Sequence, residues 1–450
     1  MKLSTWACAW ALSSALFTGN LMAQQLRQPF SVRPAGFDYN RYLQDSAAAQ
    51  PVPASQEPAP VHDAAPVAAS PAPVASPAAG CNTCPPVSAC APCDSGCGLG
   101  LGGLGSFCNL GEPYSLKSSL LCEDSAWNVG GWTQFGYHNK ASLVPQFNVH
   151  PDNVNLHQQW FFLEKKLAAD ECNYDWGFRA DFMYGVDAAD TQSFGNTPDA
   201  NGPRGFDNGW DHGIYGFALP QLYAEIGKGD WSMKIGHFYT IVGYESVMAP
   251  SNFFYSHANT MYNSEPFTHT GALLTYNVSD SLSVWAGWSL GWDTGFDQFG
   301  DGSSFLGGFT KTISEDMKLT YATVVGDFGW KGRDAYVHSV ILDTALTDKL
   351  QYVFQTDFLR VDSTQEDNVA IVNYLFYTVN DCTKLGARVE WWQYDSLAAN
   401  TGNISANEAT FGVNYKPHAN FVVRPEIRQE WIPAAGLDET IFGVDVIATY

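Results

Sequence analysis

Charge is scarce in this chain. Asp, Glu, Lys and Arg make up 15% of its 450 residues, against about 25% in soluble domains. Basic residues are scarcer still: 23 Lys and Arg stand against 46 Asp and Glu, a net charge of −23. Neutralising phosphates takes clustered Lys and Arg, so the composition argues against nucleic acid as a partner. Beyond residue 23 no apolar run approaches the ~18 residues that a membrane helix needs. The GxSxG, HExxH and Walker patterns are missing, and the histidines are scattered without ligand spacing. The expectation is therefore no enzyme and no cofactor.

Aromatic residues, by contrast, are abundant. The chain has 15 Trp, 21 Tyr and 28 Phe, 14% of its length, with a mean hydropathy of only −0.16. Such a balance suits a membrane β-barrel, whose apolar residues are diluted by alternation. A soluble β-protein binding carbohydrate through Trp shares that composition.

The first 126 residues divide into three. Residues 1–23 carry Lys2 and an apolar stretch through Phe17, and read as a secretory signal peptide. Residues 24–80 are dominated by Ala, Pro, Ser and Val, which build no core and favour an extended spacer. Residues 81–126 are Cys- and Gly-rich: Cys81-x2-Cys84-x5-Cys90-x2-Cys93-x3-Cys97, then Cys108 and Cys122. Paired CxxC spacing fits a zinc site, or disulfides and cross-links in an oxidising exported compartment. Contact of residues 24–126 with the cell wall or neighbouring molecules follows from the second reading.

From Trp127 the texture changes. In the closing stretch 440–450, Phe442, Val444, Val446, Ala448 and Tyr450 share one face of an extended chain. Ile441, Gly443, Asp445, Ile447 and Thr449 share the other, so one face is wholly apolar and the other mixed. The same two-faced pattern recurs. Tyr352, Phe354 and Phe358 oppose Gln351, Gln355 and Asp357; Phe421, Val423 and Ile427 oppose Arg424, Glu426, Arg428 and Glu430. A charged row facing a dry core is costly, whereas one facing a wet lumen is not. About sixteen such segments span 127–450. Their connections alternate between short (169–173, 227–230, 279–281, 314–317, 347–349, 380–382, 416–420) and long (140–155, 186–219, 241–268, 292–302, 396–406, 433–439). Short turns at one end and long loops at the other are the pattern of an outer-membrane barrel. The fold expected is an all-β transmembrane antiparallel barrel of about sixteen strands, with both termini on the short-turn, periplasmic side. Cys172 and Cys382 fall in short turns and Cys122 precedes the first strand, which makes a Cys122–Cys172 disulfide the expected pairing.

The run KIGHFYTIVGYESVMAPSNFFYSHANTMYNSEPFTHTG over 234–271 resembles outer-membrane β-barrel porins of the porin-2, OmpL-like kind. The features that carry this are the strand KIGHFYT, the turn at 243–245, NFFYS at 252–256 and the lead from Pro266 to Gly271. The resemblance covers roughly 127–450. It implies a passive channel in the outer membrane of a two-membrane bacterium, passing small hydrophilic solutes or ions and carrying no catalytic residues.

In general porins of sixteen strands the third long loop narrows the lumen, and by analogy 241–268 is that loop here. Its acidic residues are Glu245 and Glu265. On the strands, Arg388, Glu390, Arg424, Glu426, Arg428 and Asp445 point inward by alternation. Arg388, Arg424 and Arg428 are expected to face Glu245 and Glu265 across the pore, since rings of charge sort permeants. The opposing reading is that these charges pair and stiffen the lumen. Acidic loops with Asp187, Asp190, Asp199, Asp207, Asp211, Asp293, Asp297 and Asp301 lack EF-hand spacing. They read as solvated or bridging to lipopolysaccharide. Porins of this size are often homotrimers in the lipid bilayer. The rival function is a structural surface protein with a plugged barrel, cross-linked through its Cys-rich arm.

Overall fold

The computed structural model describes residues 108, 110–122, 124–168, 170–199, 202–298, 300–396 and 403–450. The signal peptide, the spacer and the cysteines from Cys81 to Cys97 lie outside the described residues.

Sixteen antiparallel strands close into one barrel, each paired with its neighbours in sequence. They are β1 (Trp127–His138), β2 (Asn155–Lys165), β3 (Asp175–Gly185), β4 (Gly216–Lys228), β5 (Trp231–Tyr239), β6 (Thr268–Ser279), β7 (Leu282–Ser289) and β8 (Ser303–Ser314). Then come β9 (Met317–Asp327), β10 (Ala335–Thr347), β11 (Leu350–Val361), β12 (Glu366–Asn380), β13 (Thr383–Ser396), β14 (Ile404–His418), β15 (Phe421–Ile432) and β16 (Leu437–Thr449). Strands of this length, tilted, cross a bilayer core. No described helix is long and apolar enough to do so.

Alternation explains the two faces. Phe135, Phe161, Trp288, Val389, Phe411, Ile427 and Phe442 stand exposed on the outside, where lipid covers them. Near the short-turn end the outer surface carries an aromatic belt. Trp127 meets Trp176 edge-on at 6.1 Å, Tyr174 meets Trp231 at 5.8 Å, and Lys165 and Lys228 lie over Trp176 and Tyr174 at 4.7 and 5.1 Å. Aromatic bodies with cationic tips suit the boundary between hydrocarbon and headgroup.

β1 and β16 close the ring, from Trp132 opposite Thr449 to His138 opposite Gly443. Tyr450 completes the seam: its N–H donates to Gly131 O at 2.9 Å and its O accepts from Gly131 N at 3.0 Å. Its hydroxyl reaches Gln159 and Trp160 O on β2.

The periplasmic-side connections are tight: 229–230, 280–281, 315–316, 348–349, 381–382 and 419–420, with 166–174 longer. The opposite end carries long loops early in the chain, at 139–154, 186–215, 240–267 and 290–302. Later it shortens: 362–365 and 433–436 are four-residue turns, so the alternation is weaker there than expected over 433–439. The 186–215 loop contains the short helix α1 (Val186–Thr191) and a hairpin, Phe194–Asp199 with Gly202–Gly205.

The expected Cys122–Cys172 bond is not formed. Cys108 is bonded to Cys382, with Cα atoms 5.6 Å apart, and Cys122 and Cys172 are exposed free thiols. Sharing one end of the barrel does not bring two side chains within the ~6 Å Cα spacing that a disulfide needs. The bond staples the segment before β1 to the β12–β13 turn. That segment is held further by Ala419 N donating to Leu110 O at 2.8 Å and by Asn420 bonded to the backbone of Tyr114. Mass spectrometry of alkylated protein should find Cys122 and Cys172 labelled without reductant and Cys382 only after reduction. Replacing Cys382 with Ser should leave a heat-modifiable barrel and expose the chain before residue 127 to protease.

Candidate functional site

The 240–267 loop between β5 and β6 turns into the lumen and is buried along nearly its whole length. Its apolar residues Val247, Met248, Phe254, Ala258 and Met261 pack with Trp132 and Trp160 of the wall and Phe147 of the 139–154 loop. Trp132 and Trp160 stack at 4.5 Å.

A trough of inward glycines receives the loop. Across the sheet, Gly386 pairs with Gly412, Gly412 with Glu426, and Glu426 with Gly443. A Cβ on Gly386 would come within 2.3 Å of the Phe253 ring, one on Gly412 within 3.1 Å of Phe254, and one on Gly443 within 3.0 Å of Tyr255. Gly136 adds to it, its missing Cβ 2.5 Å from the Tyr255 hydroxyl. Three consecutive aromatic residues therefore sit where four strands have no side chain. Between the glycines Glu426 accepts from Tyr255 N at 2.9 Å and Ser256 N at 3.1 Å.

Each wall arginine works in two directions. Arg388 is fixed by Glu408 at 2.6 Å and donates to Glu245 at 2.7 Å, Ser256 O at 2.9 Å and Ser256 Oγ at 3.0 Å. Arg424 is fixed by both oxygens of Asp445, at 2.9 and 2.5 Å, and donates to Ala249 O and Asn252 O at 2.8 and 2.6 Å. Arg428 is fixed by Glu430 at 2.6 Å and donates to His257 O at 2.6 Å and Asn259 Oδ1 at 3.2 Å. Glu390 accepts from Asn259 N and Thr260 N at 2.5 and 2.8 Å, at the start of the short helix α2 (Asn259–Ser264). Buried charge is tolerated only when it is paired and hydrogen-bonded.

These contacts correct the expected eyelet. Only Arg388 meets Glu245; Arg424 and Arg428 bind other atoms of the loop, and Glu265 meets Gln355 at 2.6 Å instead. The two acidic residues also differ in state. Burial opposes the charge on Glu245, but Arg388, then His257 and the Ala258 N–H, hold its carboxyl down at about 2. Burial, followed by the neighbouring Asp357, holds Glu265 well above the usual carboxylate range. Gly243 is bound to this arrangement. Its φ of 93° suits glycine, and a Cβ there would lie 1.9 Å from the Glu265 carboxyl.

Several residues hold the inner loops in roles that the sequence did not suggest. Gln158 accepts from Trp132 Nε1 and Ala249 N at 2.9 and 3.0 Å and donates to Val247 O at 2.5 Å. Asp187 receives Gln158 and His157 at 3.0 and 2.7 Å, and His157 reaches the Tyr255 hydroxyl at 2.6 Å. Asp293 accepts from Phe267 N and Thr268 N at 2.5 and 2.9 Å where the loop rejoins β6. Asp207 likewise accepts from Ser193 N and Leu219 N, at 3.1 and 2.6 Å. Asp187, Asp207 and Asp293 are thus internal fasteners rather than solvated or lipopolysaccharide-bridging charges. No metal-holding cluster occurs among the described residues. The only advance signal was an inward Gly recurring on neighbouring strands, which becomes visible once the register is known.

Gly386→Val should evict Phe253 and loosen the loop while the barrel still forms. Chymotrypsin should then cut within Phe253–Tyr255 in the variant and not in the wild type. Arg424→Ala, by unpairing buried Asp445, should cost about 3–5 kcal/mol in denaturant unfolding.

A family model described as "Putative beta-barrel porin-2, OmpL-like" matches residues 126–449. No curated protein matches the chain by sequence. Among solved structures, the chain is similar to a loop-deletion form of OmpT from Vibrio cholerae at 15% identity, over 72% of this chain and 100% of that one, with a TM-score of 0.47. It is similar to the outer-membrane channel DcaP of Acinetobacter baumannii at 11% identity, over 72% and 97%, with a TM-score of 0.46. To a mutant porin of Rh. blastica the figures are 13% identity, 72% and 100% coverage, and a TM-score of 0.45. With the family match running the length of the barrel, the protein belongs to the porin-2, OmpL-like family of outer-membrane β-barrel porins and is a passive diffusion channel.

Proposed function

We propose that the docked 240–267 loop forms the constriction of this channel. In this reading Glu245, Glu265, Arg388, Glu390, Arg424, Glu426, Arg428 and Asp445 set its width by holding the loop, rather than by standing free in the solute's path. The observation that carries the proposal is the double use of Arg388, Arg424 and Arg428, each clamped by a wall carboxylate on one side and bound to the loop on the other. Because these charges are consumed in pairs, the constriction exerts little net field. The half of the lumen nearer the short turns is wetter. Glu225, Lys234, Lys318, Asp343 and Lys384 are partly exposed there, a mixture of both signs. Small hydrophilic solutes of either charge, or none, suit such a lining.

Planar-bilayer recording tests this. The wild type should give small, weakly selective conductance steps. Neutralising Arg388, Arg424 and Arg428 together should raise the conductance and move the reversal potential toward cations, because Glu408, Asp445 and Glu430 lose their partners. Unchanged conductance and selectivity would refute the assignment. The depth to which the loop is packed favours one second reading, a closed barrel with a structural role at the surface; complete absence of conductance steps would select it. For assembly we propose a homotrimer packed through part of the apolar outer face. Mass measurement of the native protein in detergent checks this.

A further inference from the structure

Under the loop, on the short-turn side, a cleft open to the lumen lies between the loop and strands β10 to β13. One wall is aromatic. Tyr244 lies 4.7 Å from Tyr374, Phe253 lies 5.0 Å from Phe376 and 4.9 Å from Phe254, and Tyr374 and Phe376 are 6.0 Å apart, all as ring centroids. Phe253 and Phe254 are held in this wall by Gly386 and Gly412. The rim is polar, with Asp343, Gln351 and Lys384, and Gln351 donates to Asp343 at 2.8 Å. Tyr374 is the odd member. It is 1% exposed and its hydroxyl has no hydrogen-bond partner among the described residues. A buried hydroxyl left unpaired costs about 1–3 kcal/mol, so such a group is normally satisfied.

We infer that this cleft is a binding subsite for a neutral hydroxylated ring solute, a hexose unit or a short oligosaccharide, on its way through the channel. The inference rests on the diffusion-channel reading above and names its solute class. The aromatic wall matches the C–H face of a sugar ring, the mixed rim matches its hydroxyls, and a sugar hydroxyl can both donate to and accept from Tyr374. A cationic or anionic solute fits less well. The rim charges balance, Asp343 against Lys384, and Glu245 at the edge of the cleft is already paired with Arg388. A purely aromatic solute would leave Tyr374 and the rim unsatisfied.

Maltotriose is the probe. Added at millimolar concentration to one side of the bilayer and then the other, it should interrupt the ionic current of single channels in a concentration-dependent way. Tyr374→Phe removes one hydroxyl and should raise the half-blocking concentration about fivefold, near the value of one lost hydrogen bond. Phe253→Ala with Phe376→Ala should abolish the block, and heat-modifiable migration confirms that each variant is folded. A conducting channel that ignores maltotriose, or that benzoate blocks and maltotriose does not, overturns the inference and leaves the channel reading intact. If the protein does not conduct, saturation-transfer NMR of maltotriose with the detergent-solubilised protein decides the site by itself. A signal that Tyr374→Phe weakens upholds the subsite, and no signal overturns it.

Discussion

The arrangement inside this barrel depends on three buried guanidinium groups. Arg388, Arg424 and Arg428 are almost fully excluded from water. Removing a cation from water is costly, and the loss is offset only when every donor finds an acceptor of good geometry. Each guanidinium lies between a carboxylate of the barrel wall and carbonyls of the inward loop, although Arg428 Nε makes an ion pair with Glu430 without hydrogen-bond geometry. The planar, five-donor shape of Arg makes this two-sided use feasible where Lys, a point charge, would serve one side. The loop backbone is thereby tied to two strands, β13 and β15. Glu390 and Glu426 complete the bond by accepting loop N–H groups that no strand partner could satisfy.

Away from these strands the inner face is of another kind. Leu273, Trp285, Leu306, Val324, Val337 and Leu359 form an apolar interior on β6 to β11, packed against Ile241 and Val242 at the start of the loop and Trp292 and Phe328 of the outer connections. Lys331 is buried there beside Glu366 at 2.9 Å and lies over the Trp292 ring at 5.6 Å. The lumen is thus divided into a polar clamp on one side and an apolar bed on the other. Together they leave the short-turn half of the interior as the part that water reaches. That division also places the aromatic cleft beneath the loop, where clamp and wetted floor meet.

Much of this was legible in the residues. Thr440–Tyr450 alone fitted a soluble strand as well as a membrane one, and the repetition of its texture fifteen times over made its apolar face lipid-facing. Asp445 was placed inside by alternation, and it is inside, fixed to Arg424. Of the contacts expected between three arginines and two glutamates, one is present, Arg388 with Glu245. Glu408, Gln158, Asp187 and Asp293 were not anticipated. Their roles come from contacts between residues far apart in the chain, and a single Gln or Asp carries no local sign of its partner. The cysteines show the same limit. Turn placement located the end of the barrel correctly, but it could not choose Cys108 over Cys122 or Cys382 over Cys172.

The loop that enters the lumen was named by analogy with general porins; what the sequence by itself determined is the barrel, a count of about sixteen strands and the alternation of inward and outward side chains. These follow from period-two alternation and from connection length, which are local properties. The tertiary structure alone decided what the inward charges do. Strand register brings Gly386, Gly412 and Gly443 into one trough and each arginine opposite its carboxylate. Register is a relation between strands, set by pairing across the whole closed ring, and no one strand encodes it.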